Sequence, residues 1–168
     1  MNKIIRHQLT LFVDKNEAGG IENIRKKFNP EQYRLIDSHV TLCRENEIEN
    51  ISIVLDNLQH IDSTKIAIQF GEPLRFNNGK GVLLPALVNE QFQTLRSKIL
   101  AGLELTVTLH EPHITLMHPR NSECTDEIFK TIQESQLPKF LTFDKISLIE
   151  QVNCGQWQIL GTYELNDS

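Results

Sequence analysis

Two short strings in this sequence combine residue types that can transfer protons and donate hydrogen bonds. The first string, at 39–42, reads His-Val-Thr-Leu; the second, at 113–116, starts 74 residues later and reads His-Ile-Thr-Leu. Residue frequencies predict roughly 0.02 strings of His, apolar residue, Thr and Leu in such a chain, so two copies are far above chance. Imidazole exchanges protons near neutral pH, and a hydroxyl donates hydrogen bonds. Together the strings could supply a general base, a general acid and two donors.

β-strands are the elements that would position these groups. Side chains alternate between the two faces of a strand, so His39 and Thr41 would share one face and Val40 and Leu42 the other. The second string would behave in the same way. The apolar pairs could then enter a core while imidazole and hydroxyl line a cleft. The spacing is about half of the chain, as internal duplication would give, so we expect the two strands to lie side by side between similar lobes.

Hydrophobic periodicity predicts the remaining elements. Predicted strands cover 8–13, 64–70, 82–88, 140–151 and 156–165, with 33–36 a short strand or approach loop and 105–109 a short strand or a lead into the second string. Predicted helices cover 21–28, 45–61, 89–103 and 124–136, the last two capped by Asn89 and Ser122. The sequence therefore predicts an α+β protein of two pseudo-symmetric lobes, each a small, mainly antiparallel sheet with helices on its outer face.

Composition limits the class of protein and of partner. The 168 residues predict one domain, 1–168, built of the two lobes. A net charge of −5 argues against coating nucleic acid, because such binding depends on neutralising many phosphates, but it allows one phosphate-bearing end to bind at a local basic site. No apolar run approaches the ~20 residues of a membrane span, and the first residues lack the apolar region of a signal peptide. A cytoplasmic location is expected, and no pattern indicates the oligomeric state.

Metal and cofactor motifs are missing from the sequence. The three cysteines are odd in number and have no Cys-x-x-Cys pair, so we expect buried, reduced thiols at Cys43, Cys124 and Cys154. His110, His113 and His118 could suggest a metal cluster, but the His-Glu-x-x-His spacing is absent and we predict no metal. No Walker-type loop or Gly-x-Gly-x-x-Gly fingerprint occurs, which argues against an ATP-driven ligase and predicts no cofactor.

Paired His-x-Thr-apolar strands half a chain apart are the signature of the two-histidine (2H) phosphoesterases. This chain resembles that superfamily, and specifically its bacterial 2'-5' RNA ligase or cyclic phosphodiesterase-like branch. The specific resemblance rests on the eight residues of the two strings, while the order of elements fits over essentially the whole chain. It implies two lobes around a cleft that contains both strings. It also implies metal-independent attack on a 2',3'-cyclic phosphate or a 2'-5' linkage of an RNA end or nucleotide.

The four polar residues of the strings suit that chemistry. Opening a cyclic phosphodiester requires a base for the attacking oxygen and an acid for the departing sugar oxygen, on opposite sides of phosphorus. His39 and His113, one on each lobe, could take these roles, although the sequence leaves open which is which. Thr41 and Thr115 could donate hydrogen bonds to the non-bridging phosphate oxygens.

Further candidates lie near the strings. Arg120 follows the second string and could bind phosphate through its forked guanidinium, or it could be an exposed loop arginine. Arg44 occupies the corresponding position after the first string. His118 is a secondary candidate, because alternation directs it away from the cleft unless the strand has ended. Trp157 could stack on a base or pack in the core. The cationic run 25–27 is either a solvated helix face or an RNA-facing patch.

The sequence thus predicts a cyclic phosphodiesterase or 2'-5' RNA ligase-like hydrolase whose partner is a nucleotide or an RNA end. Ligation could run without ATP, since strain in a cyclic phosphate end could drive it. The alternative is a non-catalytic module that binds nucleotides or RNA ends in the same cleft. The physiological substrate and the identity of the leaving sugar oxygen stay open.

Overall fold

A computed structural model describes residues 2–104 and 110–167 of the chain, and the element predicted at 105–109 lies outside this part. The strands are β1 (Ile5–Phe12), β2 (His39–Cys43), β3 (Ile66–Phe70), β4 (Leu74–Phe76), β5 (Gly81–Val88), β6 (His113–Met117), β7 (Phe140–Phe143), β8 (Lys145–Val152) and β9 (Gln158–Glu164). The helices are α1 (Gly19–Phe28), α2 (Pro30–Leu35), α3 (Ile51–Gln59), α4 (Glu90–Ile99) and α5 (Asp126–Gln133), with a 3₁₀ turn at Glu45–Glu47. Within the described residues, no helix is both long and apolar enough to cross a membrane.

The strands pair antiparallel in the order β7-β3-β5-β6-β2-β1-β8-β9, with β4 paired to β5. The two strands that carry the strings, β2 and β6, meet in the middle of this order through the pair Val40 and Ile114. Four strands lie on the β2 side and five on the β6 side. The prediction of two mainly antiparallel lobes that join at the His-x-Thr strands is therefore confirmed.

Alternation along β2 and β6 places the apolar residues of the strings in the core. Val40 and Leu42 are fully buried, and their counterparts Ile114 and Leu116 are at most 1% exposed. The histidines and threonines between them are only half-buried. Burying such side chains stabilises a fold by roughly 1.5–3 kcal/mol each, so the core fixes which face of each strand turns outward.

Two predictions about helices were wrong. Residues 33–36 belong mainly to α2, because Pro30 is accommodated in the first turn of a new helix, where its missing N–H costs nothing, instead of only ending the previous one. The predicted helix 45–61 is a 3₁₀ turn followed by α3. The Glu47 carboxylate stabilises that tight turn, since it accepts from the backbone N–H of Arg44 and pairs with the buried guanidinium of Arg96.

The cap predicted for α5 was also wrong. Thr125, not Ser122, caps this helix, because its hydroxyl oxygen accepts from the backbone N–H of Ile128. Ser122 instead donates its hydroxyl to the carbonyl of His118. Asn89 does precede α4, but its side chain accepts from Gln93 and makes no capping bond to the backbone.

The segment predicted as one strand at 140–151 is two strands on different lobes. β7 pairs with β3, whereas β8 pairs with β1, so the chain passes from one lobe to the other at Asp144. The following turn has positive φ angles at Asn153 (49°) and Cys154 (61°). Cys154 is exposed there, contrary to the prediction, while Cys43 and Cys124 are buried as expected.

Candidate active site

The register between β2 and β6 brings the polar residues of both strings together. An antiparallel pair that aligns Val40 with Ile114 sets His39 opposite Thr115 and Thr41 opposite His113. All four side chains line one cleft of about 630 Å³. Each histidine therefore lies across from the other string's threonine, and the two strings form one cluster related by approximate two-fold symmetry.

Both histidines are oriented by the same backbone contact. Nδ1 of His39 lies 2.8 Å from the carbonyl oxygen of Asp37, and Nδ1 of His113 lies 3.0 Å from the carbonyl oxygen of Glu111. A carbonyl oxygen can only accept, so Nδ1 carries the proton in each ring. Among the residues that the structure describes, Nε2 of neither histidine has a hydrogen-bond partner, so Nε2 can exchange a proton with a ligand in the cleft.

Burial lowers the pKa of His39 to about 4. The carbonyl of Asp37 opposes this effect, while the positive charge of Arg25 adds to it. His39 is therefore neutral at physiological pH, with the unprotonated Nε2 that a general base requires.

Arg25 is a cleft residue that the sequence interpretation placed wrongly. Instead of lying on a solvated or RNA-facing surface with Lys26 and Lys27, its side chain is only 2% exposed and lines the cleft. Its guanidinium donates to the carboxylate of Glu22 and to the carbonyl of Ile36, each at 2.6 Å. Arg25 thus ties α1 to the segment that leads into β2.

Gln8 on β1 determines the hydrogen bonding of the Thr41 hydroxyl. The Gln8 side-chain amide donates to the hydroxyl oxygens of Thr10 at 2.7 Å and Thr41 at 3.0 Å. Since the Thr41 oxygen accepts from Gln8, its own hydrogen is free to be donated into the cleft. On the other lobe, Leu83 is the residue on the neighbouring strand β5 that is registered with Thr115.

His110 lies deep in the cleft, beside the motif residues. Its Nδ1 is 2.6 Å from Nη2 of Arg44, and its Nε2 is 2.9 Å from the carbonyl oxygen of Thr41. Arginine has no acceptor, so Nδ1 accepts from Arg44 and Nε2–H donates to Thr41. Burial, followed by the charges of Arg44 and Arg96, lowers the pKa of His110 to about 4 and keeps the ring neutral.

His118 and Arg120 line the opposite end of the cleft. β6 ends at Met117, so the alternation that would turn His118 away no longer applies. The backbone N–H of His118 donates to Asn29, and its ring Nδ1 accepts from the backbone N–H of Arg120. Burial and the charge of Arg120 lower the pKa of His118.

Trp157 lines the cleft and precedes β9, so it does not lie within that strand as the sequence suggested. The Arg6 guanidinium lies 5.4 Å from the centroid of its ring, in the range of a cation–π contact. Arg6 also donates to Glu45 at 2.9 Å and to Gln151 at 3.1 Å. This part of the cleft therefore offers an aromatic surface beside hydrogen-bonding groups.

The cleft is locally basic although the chain is acidic. The arginines that line it are Arg6, Arg25, Arg44 and Arg120, and the carboxylates are Glu45 and Glu49.

Sequence reasoning missed several lining residues, namely Arg6, Gln8, His110 and Gln151. Only Gln8 had a usable signal, since it alternates with the core residues Leu9 and Leu11. Within residues 2–104 and 110–167, no three His, Cys, Asp or Glu side chains are grouped to hold a metal ion.

Comparison with solved structures gives the same fold. Apo LigT of Escherichia coli aligns over 99% of this chain and 100% of its own, with a TM-score of 0.69 at 18% identity. LigT in complex with 3'-AMP covers 96% of this chain and 98% of its own, with a TM-score of 0.67 at 16% identity. A crystal structure described as a phosphoesterase covers 98% and 100%, with a TM-score of 0.69 at 14% identity.

Sequence comparison identifies the family. No curated protein matches the sequence significantly. The model of the 2'-5' RNA ligase superfamily matches residues 12–153, which include both strings and most of the chain. The chain therefore belongs to the 2'-5' RNA ligase superfamily.

Proposed function

We propose that this protein is a metal-independent phosphoesterase that opens 2',3'-cyclic phosphates or cleaves 2'-5' linkages at nucleotide or RNA ends. The observation that carries the proposal is the register at the β2–β6 junction. It brings two imidazoles and two hydroxyls to one basic cleft. Membership of the 2'-5' RNA ligase superfamily supports a reaction at such a bond.

His39 is the general base in this proposal. Its low pKa keeps Nε2 unprotonated, so it can accept the proton of a water molecule whose oxygen bonds to phosphorus. His113, in its doubly protonated form, gives a proton to O2' or O3' as the bond between that oxygen and phosphorus breaks. The product is a nucleoside or RNA 3'- or 2'-phosphate. Thr41 and Thr115 donate to the non-bridging oxygens, where negative charge increases during attack.

The attacked phosphate also receives positive charge from Arg120 and a hydrogen-bonding group from His118, and Trp157 offers a face on which a base can stack. Nucleotides are the ligands of the fold relatives, since LigT structures hold 3'-AMP, ATP and NADP+. A 3'-phosphate is the product expected when O2' leaves. If an RNA 5'-hydroxyl replaces water as the attacker on the cyclic phosphate and O3' leaves, the same step forms a 2'-5' bond without ATP.

The test is a panel of 2',3'-cyclic nucleotides and RNA with a cyclic phosphate end, incubated in EDTA. We expect cleavage to persist under chelation, and ³¹P NMR of the product identifies the leaving oxygen. His39→Ala and His113→Ala should each lower the rate at least about a hundredfold while circular dichroism stays unchanged. Near-normal rates in both variants would disprove the assignment.

A nucleotide-binding module without turnover is the second candidate, because the arginines that line the cleft attract phosphate whether or not chemistry follows. Calorimetry separates the two functions. Binding of 3'-AMP together with no cleavage of any substrate in the panel would favour the module.

A further inference from the structure

The two ends of the cleft differ although the strings match. Arg44 stands five residues after His39 and His118 stands five residues after His113, so His118, and not Arg120 as the sequence suggested, is the symmetry-related counterpart of Arg44. Arg44 bonds to His110, which stands three residues before His113, whereas the residue three before His39 is Ile36. The end formed by Arg44 and His110 thus has an imidazole where its counterpart has an apolar side chain.

Polar contacts fix His110 on both sides. It is only 4% exposed, and both ring nitrogens are engaged, one by Arg44 and one by the carbonyl of Thr41. The ring of Phe92 lies 6.0 Å from it, and that of His113 lies 6.2 Å from it. A buried group held in this way has one orientation and one tautomer, and it joins the two lobes because it precedes β6 and bonds to β2.

The charges around His110 favour its neutral form. Arg44 and Arg96 both lower its pKa, with a smaller effect from His113, and the carboxylate of Glu47 is occupied by Arg96 at 2.6 Å. The proton of the neutral His110 ring is on Nε2, so Nδ1 can only accept a hydrogen bond. Because the ring carries no charge, accepting from the Arg44 guanidinium does not offset the positive charge of Arg44. Arg44 therefore keeps its full positive charge, and its other nitrogens are available to a ligand.

We propose that His110 is a positioning residue that holds Arg44 as the binding group for a second phosphate, next to the phosphate that is attacked. Arg44 follows Thr41 by three residues, about 10 Å along an extended chain, and its guanidinium bonds to His110 instead of a residue of the two strings, so we place it beside the central phosphate and not on it. A nucleotide with one phosphate would leave Arg44 unused. A dinucleotide or longer RNA end, which carries a further phosphodiester, would engage it. This inference rests on the proposed function.

The test compares a 2',3'-cyclic mononucleotide with a dinucleotide that ends in a 2',3'-cyclic phosphate. Arg44→Met and His110→Leu should each raise KM for the dinucleotide about tenfold and change that for the mononucleotide less than twofold, because a charge-assisted hydrogen bond is lost only in the longer substrate. His110→Gln should restore most of the loss, since its amide can accept from Arg44 and donate to Thr41. Equal effects on both substrates would overturn the proposal.

A double-mutant cycle tests the coupling. In the Arg44→Met background, His110→Leu should add less than a twofold change, whereas with Arg120→Met, at the other end of the cleft, the two effects should multiply. Independent effects of His110 and Arg44 would refute the assignment. If His110→Leu does not fold, ¹⁵N NMR of the wild-type ring decides: a proton on Nε2 at pH 7 supports the proposal, and a proton on Nδ1 contradicts it.

Binding measurements separate this proposal from the proposed function. If the wild type cleaves neither substrate, the phosphoesterase assignment fails, but calorimetry with 3'-AMP and a 3'-phosphorylated dinucleotide still tests Arg44. Tighter binding of the dinucleotide, lost in Arg44→Met, supports the second phosphate site. Equal affinity for the two ligands, or no binding of either, overturns it.

Discussion

At the residue scale, the two strings are equal in sequence and unequal in surroundings. Thr41 has Gln8 beside it as a donor, while Thr115 has Leu83 on the neighbouring strand. His39 has the charge of Arg25 near it, which lowers its pKa further after burial. The four motif residues could be found from their spelling. The roles of Gln8, Arg25 and His110 could not be predicted, because they depend on partners 11 to 69 positions away, although alternation does indicate the face on which Gln8 lies.

The Gln8 amide should matter only through Thr41. Gln8→Met removes the donor, so the Thr41 hydroxyl can turn away from the cleft, and we expect kcat/KM for a 2',3'-cyclic nucleotide to fall about tenfold. In a Thr41→Val background, Gln8→Met should have less than a twofold effect. In a Thr115→Val background, the tenfold loss should persist. A similar loss in all three backgrounds would show that Gln8 acts elsewhere.

At the element scale, the alternation rule predicted the faces of β2, β3 and β6 correctly, because large apolar residues alternate there with small or polar ones, except at the last residues of β2 and β6, where Cys43 and Met117 are also buried. The rule does not predict which strands pair. The break between β7 and β8 at Asp144 is set by pairing with β3 and β1, which are distant in sequence. α2 was missed for a different reason: Pro30 ends one helix and starts another, and only the first role was considered.

The ion pair of Arg25 with Glu22 should be important for the stability of α1 against β2. Arg25→Met leaves the carbonyl of Ile36 and a partly buried carboxylate without their donor, so the free energy of unfolding should fall by about 2–3 kcal/mol. Lys26→Met, next to it on an exposed position, is the matched control and should change stability by less than about 0.5 kcal/mol. Urea denaturation measures both. Equal stability of the two variants would contradict this role.

At the scale of the whole molecule, the chain has a net charge of −5 but concentrates arginines in one cleft. The net charge therefore does not predict the local charge of the site. The sequence did predict the two-lobe arrangement, since the 74-residue spacing reflects it. It did not predict that β3, β4 and β5 pack in the lobe of β6, or that β8 and β9 pack in the lobe of β2. The net charge of the chain also does not indicate that His39 and His110 are neutral in the cleft.

The neutral imidazoles of His39 and His110 should make stability depend on pH in the mildly acidic range. His39 and His110 have pKa values of about 4 when folded and near 6.5 when unfolded, so the unfolded chain takes up protons first as pH falls. Stability should be highest above pH ~6.5 and decline between pH ~6.5 and ~4.

Urea midpoints at pH 7.5, 5.5 and 4.5 measure this decline. His110→Gln should flatten the decline, because one titrating group is removed. His60→Gln, at an exposed site, should leave the curve unchanged. A wild-type midpoint that is constant from pH 7.5 to 4.5 would be inconsistent with neutral, buried imidazoles.

The crossing of the chain at Asp144 also affects how the protein folds. β1 pairs with β8 in a register that aligns Ile5 with Val152. These two strands can therefore pair only after the residues between them, most of the chain, have been synthesised. Pairings this distant in sequence raise the contact order and slow folding. During synthesis, β2 and β6 can meet before β8 emerges, but Gln8 and Arg6 stay on a strand with one open edge. The cleft therefore reaches its final form only after β8 has emerged from the ribosome and paired with β1.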